Sequence, residues 1–433
     1  MDEAHDRLRA LVAPLTNYER TRPDQPRWSL DTMRALLAGP GFALPEGLLV
    51  QIGGSKGKGT TALYLESLAR AAGLRVGTYL SPHLQSLRER VRLDGMPAEA
   101  ATLERHLRAT LAQAKHLGLQ PSFFEVMTHA ALGAFADAGV DLGILEVGLG
   151  GRLDATTAVP VDASIVTVVE LEHTELLGDT VEAIAGEKAH VLRADRPGFT
   201  GATGGALQVL RQRAAAVRTS LHEDGTSFGL EALREDATDL RGVFRTVDGR
   251  RQPFALTGAA AFERPALSLA AACLATLAPD RPLPLDPVPR PTLPGRFEVL
   301  ACPDGAPLVL DGAHTERSAR ALAEELERRY PGRRPWIAFA SAAGKRWRDG
   351  LKWLAPRADR VVVTALTGTQ SEPPEAIADW LRSQGTPCEV AVDVPEALAR
   401  LMAGGELRVV TGSFYLVGSV RSQLSRFGVD VPA

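Results

Sequence analysis

From residue 53 to residue 61 the chain reads Gly-Gly-Ser-Lys-Gly-Lys-Gly-Thr-Thr. Glycines at this density let a backbone wrap closely round an anion with its N–H groups turned inward. A helix that starts at the end of such a loop adds the partial positive charge of its N-terminus. Lys58 supplies a cation for β- and γ-phosphate oxygens, and a threonine hydroxyl after it suits Mg²⁺. Gly54, Gly57, Lys58, Gly59, Thr60 and Thr61 are therefore the candidate phosphate-binding residues. Gly59 separates Lys58 from Thr60, which departs from the usual P-loop spacing. The plain alternative is a Gly-rich turn between strand and helix, with solvated lysines.

Such a loop needs a strand before it and a helix after it. Residues 47–52 (GLLVQI) form a short apolar run, and a helix is expected from about Thr60 to Ala72. Runs at 141–147 and 163–169 read as buried strands, the first ending at Glu146. Residues 307–310, 336–339, 360–364, 389–392 and 408–411 read the same way, with helical stretches between them. This alternation predicts parallel sheets covered by helices. Residues 280–296 carry six prolines, at 282, 284, 287, 289, 291 and 294, and predict an extended, semi-rigid linker. The expected fold class is α/β: an N-terminal domain over residues 1–280, a linker over 281–296 and a smaller Rossmann-like domain over 297–433. Ligands are expected at the carboxyl ends of strands and in the cleft between the domains.

Composition narrows the function classes. The 433 residues carry a net charge of −3, which gives no electrostatic case for nucleic acid or an anionic membrane as partner. Cys273, Cys302 and Cys388 lie far apart, so neither a disulfide framework nor a zinc site is expected, in keeping with a reducing cytoplasm. The opening MDEAHDRLRALVAPL lacks the pattern of a signal peptide, and no apolar run approaches the roughly 20 residues of a membrane helix.

The Gly-x-x-Gly-Lys-Gly-Thr loop resembles that of the folylpolyglutamate synthase/dihydrofolate synthase family of the Mur ligase superfamily. That family usually has Thr-Asn where this chain has Ser55-Lys56. Lys56 adds a cation to the loop or points into solvent. Three further segments match in order. They are Tyr79-Leu80-Ser81-Pro82-His83-Leu84 with Arg88-Glu89-Arg90-Val91-Arg92; the run EVGLGGRLDAT from Glu146 to Thr156; and Leu171-Glu172-His173-Thr174 with Glu187-Lys188-Ala189. Pro294-Gly295-Arg296-Phe297, Leu310-Asp311-Gly312-Ala313-His314 and the run VTGSFYLVG from Val410 complete the match, which spans the chain from about Trp28 to Val417.

The resemblance implies a Mur-ligase-like P-loop ATPase domain with a parallel-rich sheet, followed by a Rossmann-like glutamate-ligase domain. It implies an ATP- and Mg²⁺-dependent ligase that joins L-glutamate to a pteroate or folate carboxylate through an acyl phosphate, acting as a cytoplasmic monomer. Thr60, Ser81, Glu146, His173 and Lys188 would hold the metal, Lys188 as a carbamate. Lys58, Glu146, His173, Lys188 and His314 would be catalytic. Arg264, Arg296 and Asp311 would join the phosphate loop on the nucleotide. Ser81, Pro82, His83, Arg90, Arg152, His314 and Ser413 would contact the other substrates.

Taken singly, several of these residues have plainer readings. Glu146 could cap a turn, His173 could be structural, and Glu187–Lys188 could be a solvated pair. Gly148, Gly150 and Gly151 imply close backbone approach to a ligand or a neighbouring strand, or a structural turn. Asp311 and His314 could belong to a strand-end turn, and Ser413 could cap a helix. The chain departs from the family pattern at Arg88, Glu172 (commonly Asp), His190, Arg264 (often an adenine-contacting Asn), Thr315 and Gly344-Lys345-Arg346-Trp347. Two alternatives stand beside the folate reading: a Mur-type ligase acting on another carboxylate, and a nucleotide-binding protein without ligase activity.

Overall fold

The computed structural model describes residues 3–18, 29–236 and 238–432, so Trp28 lies outside the described residues. The chain forms two compact units that divide after Pro291. Among the described residues, no helix is long and apolar enough to cross a membrane.

The first unit is built on eight strands: β1 (Leu48–Gly53), β2 (Val76–Tyr79), β3 (Val91–Leu93), β4 (Met96–Pro97), β5 (Leu142–Glu146), β6 (Ala163–Val166), β7 (Gly198–Thr200) and β8 (Leu221–Glu223). Their order is β4-β3-β2-β5-β1-β6-β7-β8. From β2 to β8 the pairing is parallel, and β3 and β4 add an antiparallel edge. β1 shows why the sheet is covered on both faces. Val50 and Ile52 point into a core with Ala62, Leu65 and Leu68 of the Lys58–Ala71 helix and Leu267, Ala270 and Leu274 of the Arg264–Leu277 helix. Leu49 points the other way, against Val126, Ala130 and Phe135 of the Phe123–Ala138 helix. The period of two along the strand sorts its side chains between the two cores.

The sequence reading and the structure differ in several places. The phosphate-loop helix begins at Lys58, two residues before the expected start. β6 stops at Val166 rather than Val169, because Thr167 and Val168 turn to bond the phosphate loop. A three-stranded antiparallel sheet of β9 (Gly229–Glu235), β10 (Asp239–Arg245) and β11 (Arg251–Thr257) was not expected. Its strands are polar enough to read as loop, since one side of the sheet faces solvent.

The Pro-rich segment is not a free spacer over its first part. Leu285 and Val288 are buried in the first unit's core. The Ala255 N–H donates to the Leu285 carbonyl at 2.9 Å, and the Val288 N–H donates to the Ala255 carbonyl at 2.8 Å. Arg290 grips the fully buried Glu263 through Nη2 at 2.8 Å and Nε at 3.1 Å, and the Tyr64 hydroxyl donates to the same carboxylate at 2.6 Å. A buried carboxylate that loses its partner, or leaves its partner charged and alone, costs roughly 3–5 kcal/mol. Glu263→Ala should therefore lower the first unit's stability by about that much. Chemical denaturation of the variant is the check, and a loss below about 1 kcal/mol would show that the triad does not brace this segment.

The second unit has six strands: β12 (Glu298–Ala301), β13 (Pro307–Leu310), β14 (Trp336–Phe339), β15 (Arg360–Val363), β16 (Cys388–Val390) and β17 (Arg408–Thr411). Their order is β12-β13-β17-β14-β15-β16, parallel except for β12. Helices alternate with the strands after β13, in the Rossmann-like manner expected. β17, last in the chain, returns between β13 and β14, so the loops after β13 and β17 are neighbours.

Candidate active site

Four parallel strands of the first unit end side by side, and each contributes a segment that the sequence singled out. In β1 Ile52 pairs with Glu146 of β5, and in β2 Tyr79 pairs with Leu145. β6 lies on the other flank of β1, with Gly53 opposite Val166. The phosphate loop, Ser81, Glu146 and the 167–173 segment thus emerge at the carboxyl edge of one sheet, where ligands of open α/β sheets bind.

Backbone demands explain the glycines of the phosphate loop. Gly54 has φ +136°, and a Cβ there would lie 1.9 Å from the Thr167 hydroxyl. Gly57 has φ +84° and takes the N-cap position of the Lys58–Ala71 helix, which has no side-chain cap. The first-turn N–H groups of that helix are left for an anion rather than for a capping side chain. Lys58 folds back so that Nζ donates to the Gly54 carbonyl at 3.2 Å. Thr60 and Thr61 are both buried in the first turn, and among the described residues the Thr61 hydroxyl has no hydrogen-bond partner.

Lys188 reaches the same carbonyl from the end of the Val181–Lys188 helix. Its Nζ lies 2.9 Å from Gly54 O and 2.9 Å from Glu172 Oε1, and the side chain is almost wholly buried. Burial pushes its ammonium down to about 8 against the pull of Glu172, and Lys58 and Lys56 lower it further. Glu172 lies below the usual carboxylate range: burial pushes it up, but Lys188, Lys58 and Lys56 together outweigh that.

On the neighbouring strand, Glu146 is buried and its Oε2 accepts the Ser81 N–H at 2.8 Å. His173 is exposed in the left-handed region, φ +46°, at the cap of the short Thr174–Leu177 helix beside Glu172. Among the described residues no group of three or more His, Cys, Asp and Glu side chains could hold a metal ion. Of the residues expected to hold a metal, Thr60, Ser81 and Glu146 would offer hydroxyl and carboxylate oxygens at these strand ends. That chemistry fits Mg²⁺, which commonly takes one or two carboxylates and completes its shell with phosphate oxygens and water.

The glycines of the EVGLGGRLDAT run lie against helices. A Cβ on Gly148 would meet the Phe124 ring at 2.7 Å, and one on Gly151 would meet Glu187 O at 2.7 Å and Lys188 Cα at 3.0 Å. Gly151 thus lets the loop touch the helix end that carries Lys188. Arg152, expected on substrate, pairs at the surface with Glu187 at 2.9 Å.

Sequence reasoning missed Asp154, which organises this loop. Its Oδ2 accepts the N–H groups of Gly148 and Leu149 at 2.9 and 3.1 Å, and Oδ1 accepts the N–H and the hydroxyl of Thr156. Gln51 and Arg193 were missed too. Gln51 donates to the Thr156 and Thr157 hydroxyls at 2.8 Å, and Arg193 donates to the Gln51 side chain and the Thr157 carbonyl. The one available signal was a glutamine inside the apolar run GLLVQI.

Beside Ser81, Pro82 is exposed and Arg90 is almost fully buried. Arg90 Nε donates to His83 Nδ1 at 2.8 Å, and the guanidinium lies 4.9 Å from the Phe123 ring centroid. Since Nδ1 accepts, neutral His83 carries its proton on Nε2. Arg264, expected at adenine, is paired with Glu235 of β9.

The second unit gathers its candidates at the ends of β13 and β17. Asp311 accepts the N–H groups of Phe297 and Ala313, each at 2.8 Å, so its carboxylate braces the Pro-Gly-Arg-Phe turn. Arg296 sits 5.2 Å from the Phe414 ring centroid, and His314 meets the same ring edge-on at 6.3 Å. Gly312 is required there, because a Cβ would meet the Phe414 ring at 2.7 Å. Phe414, which sequence reasoning passed over, is the residue on which both loops converge. His314 Nδ1 lies 2.8 Å from the Gly312 carbonyl, which fixes the proton on Nδ1 and makes Nε2 the acceptor of the neutral ring. The Ser413 hydroxyl accepts the Tyr415 N–H at 3.1 Å, so the helix-cap reading describes it here.

Burial pushes Asp311 up to about 6, against the two N–H donors and Arg296. The folded chain then holds the proton more tightly than the unfolded chain. Stability from this group is full below about pH 4 and is lost as the pH rises to about 6. Relative to Asp311→Asn, the wild type should lose roughly 1–2 kcal/mol across that window and nothing further above it. Denaturation of both proteins at several pH values checks this, and a constant difference would remove burial as the governing cause.

Residues 295–414 match the Mur ligase glutamate ligase domain. The chain is 30% identical over 416 residues to a Bacillus subtilis dihydrofolate synthase/folylpolyglutamate synthase, covering 91% of this chain and 94% of that one. It is 34% identical over 389 residues to a probable bifunctional folylpolyglutamate synthase/dihydropteroate synthase of Halobacterium salinarum, covering 87% of this chain and 47% of that protein. The chain thus spans about half the length of that relative. The crystal structure of a Yersinia pestis bifunctional folylpolyglutamate synthase/dihydrofolate synthase with AMPPNP and a Mn ion aligns with a TM-score of 0.82 and 27% identity, over 98% of this chain and 100% of that one.

Proposed function

The chain belongs to the folylpolyglutamate synthase/dihydrofolate synthase family, and from that membership we propose that it is an ATP-dependent, ADP-forming ligase. Its reaction would join L-glutamate to the carboxylate of dihydropteroate, of a (tetrahydro)folyl-(poly)glutamate, or of both. The observation that carries the reading is the convergence of Lys58 and Lys188 on the Gly54 carbonyl, with Glu146 and Ser81 at the adjoining strand ends. The three free cysteines support a reducing, cytoplasmic setting.

In this reading the loop N–H groups and Lys58 hold the β- and γ-phosphates. Thr60, Ser81, Glu146, His173 and carbamylated Lys188 would hold Mg²⁺, which would supply charge neutralisation on the phosphates. A carbamate on Lys188 would replace its ion pair with Glu172 by two facing anions, a pairing that a divalent cation offsets. Depression of the amine to about 8 supports the modification, since only the neutral amine can react with CO₂.

The γ-phosphorus exchanges its bond to the bridging ADP oxygen for one to a substrate carboxylate oxygen. The glutamate nitrogen then bonds the acyl carbon and phosphate leaves, while the amine's proton passes to a base. His314, with Nε2 as its acceptor nitrogen, is proposed for that role. Arg296, held on Phe414, would offset developing negative charge, with Asp311 bracing its turn and Ser413 contributing to the glutamate site. Arg90 with His83 would serve the acceptor.

Phosphate release from ATP and Mg²⁺ with L-glutamate tests this, comparing dihydropteroate, tetrahydrofolate and no acceptor. Release that needs both glutamate and a pterin acceptor is expected, and the better acceptor names the branch. Folded, ATP-binding protein without acceptor-dependent release would overturn the folate assignment in favour of another carboxylate or of binding alone.

A further inference from the structure

We infer that the buried Glu298–Arg421 ion pair is a positioning element for Arg296, holding the turn that carries it against Phe414. The inference rests on the reading above, in which Arg296 offsets charge on the transferring group. Local preference alone does not aim this turn. Gly295 has φ +66° and Phe297 has φ +49°, a region that a bulky residue enters only where its surroundings enforce it. Here two carboxylates do so, one on each side of Arg296. Asp311 Oδ2 accepts the Phe297 N–H at 2.8 Å, and Glu298 Oε2 accepts the buried Gly295 N–H at 2.9 Å. The Gly312 N–H donates to the Gly295 carbonyl at 2.9 Å and closes the turn on the loop after β13. Glu298 opens β12 opposite Leu310, so it stands beside the strand end from which Asp311 emerges.

Arg421 holds Glu298 in its place. Its Nε donates to both carboxylate oxygens, at 3.1 and 3.2 Å, and both side chains are buried. Its guanidinium also donates to the Pro432 carbonyl, which anchors it from a second side. Arg421 ends the helix that Phe414 begins. The seven residues between them make close to two turns of about 3.6 residues each, so both side chains leave the helix on one face. At one end of that face Phe414 lies under the Arg296 guanidinium; at the other Arg421 grips the carboxylate that ties down Gly295. The ion pair thus couples the helix that carries the ring to the turn that carries the cation. A charge-stabilising group contributes by being in place before the reaction, and misplacing it by about 1 Å costs up to about a hundredfold in rate.

Two double variants separate aim from stability. Glu298→Leu with Arg421→Met fills the buried space without charge, a replacement that often leaves stability intact, but it takes the acceptor from the Gly295 N–H. Glu298→Gln with Arg421→Gln keeps an amide oxygen for that N–H. The aim of Arg296 is read from its side-chain Nε–H resonance in ¹⁵N-arginine-labelled protein, identified by its loss in Arg296→Lys and displaced in wild type by the Phe414 ring. The apolar pair should abolish that displacement and the glutamine pair should keep it. In acceptor-dependent phosphate release, the apolar pair should lower kcat about ten- to a hundredfold and change KM for ATP less than about twofold, and the glutamine pair should stay within about threefold of wild type. Added to Arg296→Ala, the apolar pair should lower kcat no further, since no cation is left to aim. A wild-type resonance and kcat in the folded apolar pair would overturn the inference, and so would a loss that persists in full on top of Arg296→Ala. If Glu298→Leu with Arg421→Met and the alternative packing Glu298→Met with Arg421→Leu both fail to fold, the ion pair is a brace for stability and the inference falls. If Arg296→Ala itself leaves kcat unchanged, or the wild type releases no phosphate, the role given to Arg296 falls instead, and the resonance still decides whether the pair positions it.

Discussion

Lys58→Ala should reduce acceptor-dependent phosphate release by roughly a hundred- to a thousandfold while leaving the fold intact. The size follows from where the charge develops. A transferring phosphoryl group spreads negative charge over its oxygens, and catalysis there depends largely on fixed cations and N–H donors. Lys58 begins the helix whose first turn is uncapped, so its ammonium and those N–H groups act on the same anion. Folding depends on it far less. The side chain is half-buried and donates a 3.2 Å bond to the Gly54 carbonyl, worth about 1 kcal/mol. Phosphate release paired with a thermal unfolding curve measures both quantities. Turnover like that of the wild type in folded Lys58→Ala would remove the loop from the mechanism.

The second large effect is expected at Lys188, where two substitutions separate two roles. Lys188→Ala removes the buried bonds to Gly54 and Glu172 and any carbamate with them. It should cost about a hundredfold or more in turnover, together with some stability, since Glu172 loses its closest cation. Lys188→Arg keeps a cation for Gly54 and Glu172 but has no amine that CO₂ can modify. If the carbamate is the working form, turnover should fall about as far in Lys188→Arg as in Lys188→Ala. A ¹³C-bicarbonate-dependent carbamate signal should appear in wild type and in neither variant. An active Lys188→Arg would show that the ammonium itself, tied to Gly54, is what the site uses.

The parts that could be read in advance share a physical character. β1, β13 and β14 are largely apolar runs of four to six residues, and parallel strands buried on both faces have that composition. The polar strands β9 to β11 lack it, because a sheet with one solvated face needs only alternate apolar residues and here even these are diluted by charge. The Pro-rich segment was legible as extended but not as packed. Proline sets the backbone angle, whereas burial of Leu285 and Val288 depends on a core gathered from elsewhere in the chain.

The same division runs through the candidate site. The amino-acid order by itself made the loop legible, because its glycines permit the positive φ seen at Gly54 and Gly57, and it gave the alternation that sets Glu146 at a strand end. Only the tertiary structure decided that Lys188, 134 residues from Gly54, shares that residue's carbonyl with Lys58. It also decided that Asp154 and Arg193 hold the neighbouring loop, that Ser413 caps a helix and that Phe414 joins Arg296 to His314. Local conformation follows from residue type through steric limits on the backbone. Which charges meet depends on strand order and register, and those are settled by burial of the whole core.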